Sequence, residues 1–419
     1  MENLSAPPHR KSGRFGSPLR WLLISLVLAL ALAGHSALPG YSAQSQSYES
    51  LRLFTEALFE ISQKYVAPKS EEDMIYGSLR GMMNSLDPDS SFLTPQEYRN
   101  FQNGQKGSVS EAGLDLIVKD NLLTAVSVID GGPAATAGLK PGDHIIKLEG
   151  HLVRNLTTQE AARRFKGAAG DRIKLQVVRN GQVKPLDFTV VLAPLAPDTV
   201  TTLYLKDNLA YLRVRYFNNE TPGQVEAALT SLKRHRPPLK GLVLDLRNNA
   251  RGSIEQAVRV GSVLLGKQEI VSAKGRSQKT EETFQGKDRE LIFRPPLPTV
   301  VLVDEGTARA AEILAGALRD QSPSTLLGVK TRGLCGLTKV LPLQDGSALV
   351  MTVAQCFTPK GQKIQGKGLE PEIAGQKLPE QDETKLTKPL PIDRDPWVLQ
   401  AVDILLHGKP RQVAKKEAE

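Results

Sequence analysis

Residues 299–338 constrain this chain more than any other stretch. They open on Thr299-Val-Val-Leu-Val303, an apolar β-forming run suited to a strand covered on both faces. A turn of small residues follows at 304–311. Then come a helix at 312–320, a second short strand at 325–328 and a glycine loop, Lys330-Thr-Arg-Gly-Leu-Cys-Gly336. Strand, turn, helix and strand in that order call for an α/β layer. A strand-to-helix turn of small residues also aims backbone N–H groups and one side chain at a single point, where a hydrolase of this architecture keeps its nucleophile.

The stretch resembles the catalytic segment of the C-terminal processing peptidases, the tail-specific serine proteases of periplasm and lumen, which use a Ser/Lys dyad. Their strings are G-[ST]-A-S-A-S-E-I-L-A-G-A-L and, some twenty residues on, G-x-x-[ST]-F-G-K-G-x-[VI]-Q. This chain has Gly306-Thr-Ala-Arg-Ala-Ala-Glu-Ile-Leu-Ala-Gly-Ala-Leu318 and Gly328-Val-Lys-Thr-Arg-Gly-Leu-Cys-Gly-Leu-Thr338, in frame without a gap. The family's nucleophilic serine falls on Arg309, its base lysine on Leu334 and its following glutamine on Thr338. A dyad needs a hydroxyl and an amine that can be neutral near working pH. Arg309 is a permanent cation and no nucleophile, and Leu334 has no polar side-chain atom.

Four further strings carry the resemblance. Leu86-Asp-Pro-Asp-Ser-Ser-Phe-Leu-Thr-Pro-Gln-Glu-Tyr98 follows the family's L-D-P-H-S-x-[FY]-L-[TS]-P-x-E-[YF] and reads as a capped turn between helices, with Thr94 and Glu97 as a capping box. Leu239-Lys-Gly-Leu-Val-Leu-Asp-Leu-Arg-Asn-Asn249 follows G-[LV]-[IVL]-L-D-L-R-x-N-P-G-G up to the oxyanion loop, where Arg251 replaces the first glycine of the pair and Gly252 keeps the second. A glycine there lets backbone approach an oxyanion, and an arginine brings bulk and charge instead. Departures in three places at one site are what relaxed selection on catalysis would leave. Residues 358–361 and 366–373 match T-P-x-G and K-G-[IV]-x-P-[DE].

Residues 122–150, with Pro133-Ala-Ala-Thr-Ala-Gly-Leu139 and Pro141-Gly-Asp-His-Ile145, resemble a PDZ domain. Such domains add a peptide as an extra strand and hold its C-terminal carboxylate on a G-Φ-G-Φ loop. Here the loop is Glu111, Ala112, Gly113 and Leu114, with Leu116 further along the same strand. One glycine remains, and an acidic residue sits where the carboxylate should approach.

A basic leader (Arg10, Lys11, Arg14, Arg20) precedes an apolar core of about 13 residues at 21–33, short for a membrane span. It reads as a signal peptide or uncleaved anchor and sends the rest across the membrane. The formal charge of +9 does not indicate nucleic acid, because the remaining basic residues are scattered with no aromatic-rich basic motif. No Cys/His/carboxylate cluster has metal-ligand spacing, and no cofactor is expected.

Residues 337–357 read as a hairpin turning at Asp345-Gly346. That two-residue turn places Cys335 opposite Cys356, at a non-hydrogen-bonded pair within disulfide range. In an oxidising compartment the two should bridge.

The resemblance implies an α+β or α/β multidomain protein. Its expected parts are a leader (1–45), a helical N-terminal region (46–107), an inserted PDZ domain, β-sandwich-like with two helices (108–195), a mixed α/β tail-specific protease core (196–375), and a linker, helix and tail (376–419). Two functions follow. One is a non-proteolytic binding or adaptor protein for polypeptide C-termini or unfolded clients, in a homo-oligomer or with an active relative. The other is a working protease with Thr307 or Ser253 as a displaced nucleophile; helix capping also accounts for Ser253.

Overall fold

The computed structural model describes residues 39–104, 110–119, 122–153, 156–276, 281–376 and 391–408. The leader's basic and apolar segments, most of the expected linker and the extreme tail lie outside them. Two compact units divide the chain, residues 1–77 and 78–419. The first holds helix α1 (Pro39–Lys64), whose apolar side chains Leu51, Leu53 and Phe59 are exposed. Among the described residues, no helix is long and apolar enough to cross a membrane. Helix α2 (Glu71–Asn84) starts under a Ser70 cap, the hydroxyl accepting from the N–H of Asp73 at 3.0 Å.

In the second unit, strand β1 (Ser91–Leu93) leads into helix α3 (Pro95–Gly104). The expected capping box is present: Thr94 N–H donates to Glu97 at 2.9 Å and Glu97 N–H to the Thr94 hydroxyl at 3.3 Å. Next come β2 (Ser110–Glu111), β3 (Leu114–Lys119), β4 (Leu122–Val128), helix α4 (Pro133–Ala137), β5 (His144–Leu148), β6 (His151–Leu152), helix α5 (Thr158–Arg164), β7 (Lys166–Gly167), β8 (Arg172–Val178) and β9 (Leu186–Val191). Strands β3-β4-β5-β8-β9, with β6 on β5, make one antiparallel sheet, and β2 pairs β7. The Pro-Gly-Asp turn is pinned by Asp143, whose buried carboxylate takes two bonds from Arg179 at 2.6 and 2.8 Å.

The core sheet runs β10 (Val200–Leu205), β11 (Leu209–Val214), β12 (Gly241–Asp245), β15 (Thr299–Val303), β16 (Ser324–Gly328), β19 (Ile373–Ala374). From β11 onward its pairings are parallel. Helices α6 (Thr221–Lys233), α7 (Ile254–Leu265) and α8 (Ala310–Gln321) cover one face and α9 (Pro396–His407) the other. The run that looked buried on both faces is so: Val301 and Val303 join the α6–α8 core, Val300 and Leu302 the α9 core. A second sheet, β1-β18-β13-β14 with β17 on β18, uses β13 (Glu269–Gly275), β14 (Glu282–Gln285), β17 (Gly336–Pro342) and β18 (Ala348–Phe357).

The hairpin differs from expectation in two ways that offset. Pro342 faces Ala348 and Leu343 N–H donates to Ser347 O, so the loop has one residue more than a two-residue turn. A register shift between Leu337 and Thr338 then restores the alignment. Cys335 and Cys356 therefore meet and are bonded, with Cα atoms 5.5 Å apart. Cys356 N–H donates to Cys335 O at 3.0 Å, so the pair is hydrogen-bonded, not the closer non-hydrogen-bonded kind.

Candidate functional site

Parallel strands deliver their following loops to one edge of a sheet, where α/β proteins keep their sites. Here the loops after β12 and β15 meet there. Asp304, the residue after β15, organises both: its carboxylate accepts from the N–H groups of Asn248 at 2.8 Å and Gly306 at 3.0 Å and from the Thr307 hydroxyl at 3.1 Å. Burial pushes its carboxyl above the usual aspartate value. Thr307 is fully buried, its hydroxyl also donating to Leu246 O at 2.9 Å.

Arg309 sits at the strand-to-helix turn with φ 52° and ψ −119°, a strained backbone for a non-glycine residue. Its N–H donates to Leu334 O at 2.9 Å, which puts the two positions face to face across the site. Its guanidinium reaches Asp89 Oδ1 at 2.6 Å and Ala250 O at 2.9 Å. Burial alone would lower its pKa, but Asp89 and Asp115 raise it further, so the group is a fixed cation.

Leu334 is buried with Ala250 and Ala308 of the core and with Ile117 and Val126, which come from β3 and β4. Its loop hangs on Glu312 of α8. That carboxylate accepts from Gly333 N–H at 2.7 Å, Leu334 N–H at 2.9 Å and the Thr331 hydroxyl at 2.5 Å. Complete burial nonetheless pushes Glu312 up to about 7. Thr338 is exposed on β17 opposite Thr352.

Arg251 points into the PDZ region. It binds Glu111 at 2.9 Å and Asp115 at 3.1 Å and lies 5.9 Å over the Tyr216 ring. Gly252 has φ 123°, and a Cβ there would stand 2.4 Å from that of Phe217, so this glycine is required. Ser253 caps α7 in a capping box with Gln256. In the loop 111–114, Glu111 N–H donates to Ala193 O and Ala112 N–H to Phe165 O. Ala112, Leu114 and Leu116 are buried, and Val118 N–H donates across to the Thr158 hydroxyl of α5 at 2.9 Å. Asn248 adds a further tie, its side chain accepting from Val128 N–H at 2.8 Å.

The structure thus brings Arg309, Leu334, Arg251 and Gly252 to one place, with Glu111 and Asp115 on its PDZ side. Sequence reasoning missed Asp89. The available signal was its string, where aspartate stands in place of the family's histidine.

Residues 208–374 match peptidase family S41 and residues 110–190 the PDZ domain. A carboxy-terminal-processing protease of Bartonella bacilliformis is 34% identical over 340 residues, covering 80% of this chain and 78% of the relative. A carboxyl-terminal-processing protease of Synechocystis is 32% identical over 346 residues, covering 80% and 79%. Among solved structures, a photosystem II D1 C-terminal processing protease is 26% identical with a TM-score of 0.64, over 77% of this chain and 92% of that one.

Proposed function

The chain belongs to the carboxy-terminal-processing proteases of peptidase family S41, and from that premise we propose that it is a non-proteolytic member that binds polypeptides outside the cytoplasm. The observation that carries this reading is the Arg309–Asp89 pair. The turn that presents a nucleophile in this fold presents a guanidinium already bound to a carboxylate. Facing it, Leu334 offers no base. The displaced-nucleophile reading finds little support. Thr307 is buried, its one hydroxyl proton shared between Leu246 O and Asp304 Oδ1 while its oxygen accepts from Asp304 N–H, and Ser253 Oγ accepts from Gln256 N–H. Lys330, the amine of the loop, is exposed and reaches Glu370 at 3.5 Å.

Polypeptide C-termini or unfolded proteins are the clients this reading gives it, alone, as a homo-oligomer or beside an active relative. The leader supplies the route across the membrane. The test is to incubate the full chain with an unfolded protein bearing an apolar C-terminus and follow cleavage and complex formation together. Binding without cleavage is expected. Cleavage that disappears in Thr307→Ala or Ser253→Ala would overturn the reading.

A further inference from the structure

Six cationic side chains, Lys274, Arg276, Lys330, Arg332, Lys363 and Lys367, line one open cavity of about 1020 Å³ beside Leu334. They come from three separate stretches of chain, so only the fold brings them together. The lining contributes two carboxylates in return, Asp87 and Glu305. Asp87 is already committed, accepting from the N–H groups of Asp89 and Ser90 at 2.9 Å and from the hydroxyls of Ser90 and Thr352. Of the cations, Lys330 reaches Glu370 and Lys274 lies 5.4 Å over the Phe357 ring. Among the described residues, Arg276, Arg332, Lys363 and Lys367 form no ion pair.

Like charges converging on one cleft focus a positive potential into it and raise the local concentration of anions. The form of the site narrows the anion. The volume is at the upper end of what a small ligand needs. Six cations from three stretches of chain around an opening of this size are more charge and more room than a single phosphate uses. Leu86, Ile117 and Val353 line the same cavity and add apolar surface that suits a polypeptide better than a bare anion. We propose that this cavity binds an acidic polypeptide segment, carboxylates spaced along an extended chain. The proposal rests on the reading above, that the chain holds polypeptides without cutting them, and names the class of sequence held.

The test uses the full chain and two labelled peptides of equal length, one alternating Glu with Ala and one alternating Gln with Ala. Anisotropy titrations at about 0.05 M salt, where charges act over more than 10 Å, should give saturable binding of the Glu peptide that weakens at about 0.5 M. The Gln peptide should bind about tenfold more weakly or worse, and the double variant Lys363→Glu/Lys367→Glu should lose about tenfold for the Glu peptide. Its thermal unfolding is recorded alongside. Because Lys363 is half-buried, the exposed Arg276→Glu provides an independent second variant.

Equal affinity for the two peptides would overturn the proposal, as would charge reversals without effect. Inorganic polyphosphate that displaces the Glu peptide at equal charge concentration would also overturn it, leaving a general anion surface. Mass spectrometry of the same mixtures separates this from the parent reading. A bound but cleaved Glu peptide would sink the non-proteolytic reading and keep the acidic specificity; an unbound, intact peptide would sink the cavity assignment alone.

Discussion

Arg309 and Asp89, 220 positions apart in the chain, are joined by a 2.6 Å charge-assisted hydrogen bond at the centre of the site. The two side chains are 27% and 14% exposed, so each charge depends on the other for much of what water would otherwise supply. In the strings this chain resembles, Arg309 falls at the position of the nucleophile and Asp89 at that of a histidine. Arg309 is matched by Asp89, Arg251 by Glu111 and Asp115, and Leu334 by Ile117 and Val126. Each of the three positions is thus tied by charge or packing to a distant segment of the chain.

The pair should be measurable by a double-mutant cycle. Arg309→Ser leaves the Asp89 carboxylate half-buried without its cation and is expected to destabilise the fold by about 2 kcal/mol in denaturant titration. Asp89→Asn should cost a similar amount. The double variant should cost less than the two together, with a coupling of about 1 kcal/mol or more. Arg309→Ser alone should gain no proteolysis, since Leu334 still faces it. A coupling near zero would show that the two charges are independently solvated.

Arg251→Gly restores the family's glycine and removes both ion pairs to the PDZ side. The expected loss is about 1–2 kcal/mol, because the arginine is three-quarters buried against two carboxylates. Hydrogen exchange is the direct readout. Amides of β3 should lose protection while those of β15, deep in the core sheet, keep theirs.

The bond between Cys335 and Cys356 closes a loop with a sequence separation of 21. Chain entropy for a loop of this size gives about 3 kcal/mol. Both residues are buried in the main core, so Cys335→Ala/Cys356→Ala adds the loss of packed sulfur. Reductant should lower the unfolding midpoint of the native chain and leave that of the double alanine variant unmoved.

Much of this was legible in sequence because it is local. The continuous apolar run at 299–303, the Thr94 and Glu97 box and the Pro-Gly-Asp turn each depend on neighbours within a few residues. The ties that remake the site are not local. Asp89 reaches Arg309, and Arg251 reaches Glu111 and Asp115, only after separate segments have packed. The cysteine pairing shows the limit from the other side. The turn has an extra residue and the bulge beyond it compensates, so the right partners were found through a register that is wrong near the turn.

Glu312 gives the loop of Leu334 a pH dependence with a definite sign. Its carboxyl is pushed up to about 7 from an ordinary value of 4.5, so between those values the folded protein holds a proton that the unfolded chain has released. Stability must then fall as pH rises. The full contribution is present below 4.5 and is lost as pH climbs through about 7, a swing of about 3 kcal/mol at most. This runs opposite to Asp245, which Arg247 and Arg213 hold well below the aspartate range against the effect of burial. Asp245 therefore contributes no slope near neutrality, since its stabilisation is lost only in acid. Urea titrations between about pH 5 and 8 should show declining stability in the native chain. Glu312→Gln cannot ionise, so whatever its fixed cost against the N–H groups of Gly333 and Leu334, that part of the slope should vanish. An unchanged slope in the variant would assign the dependence to another group.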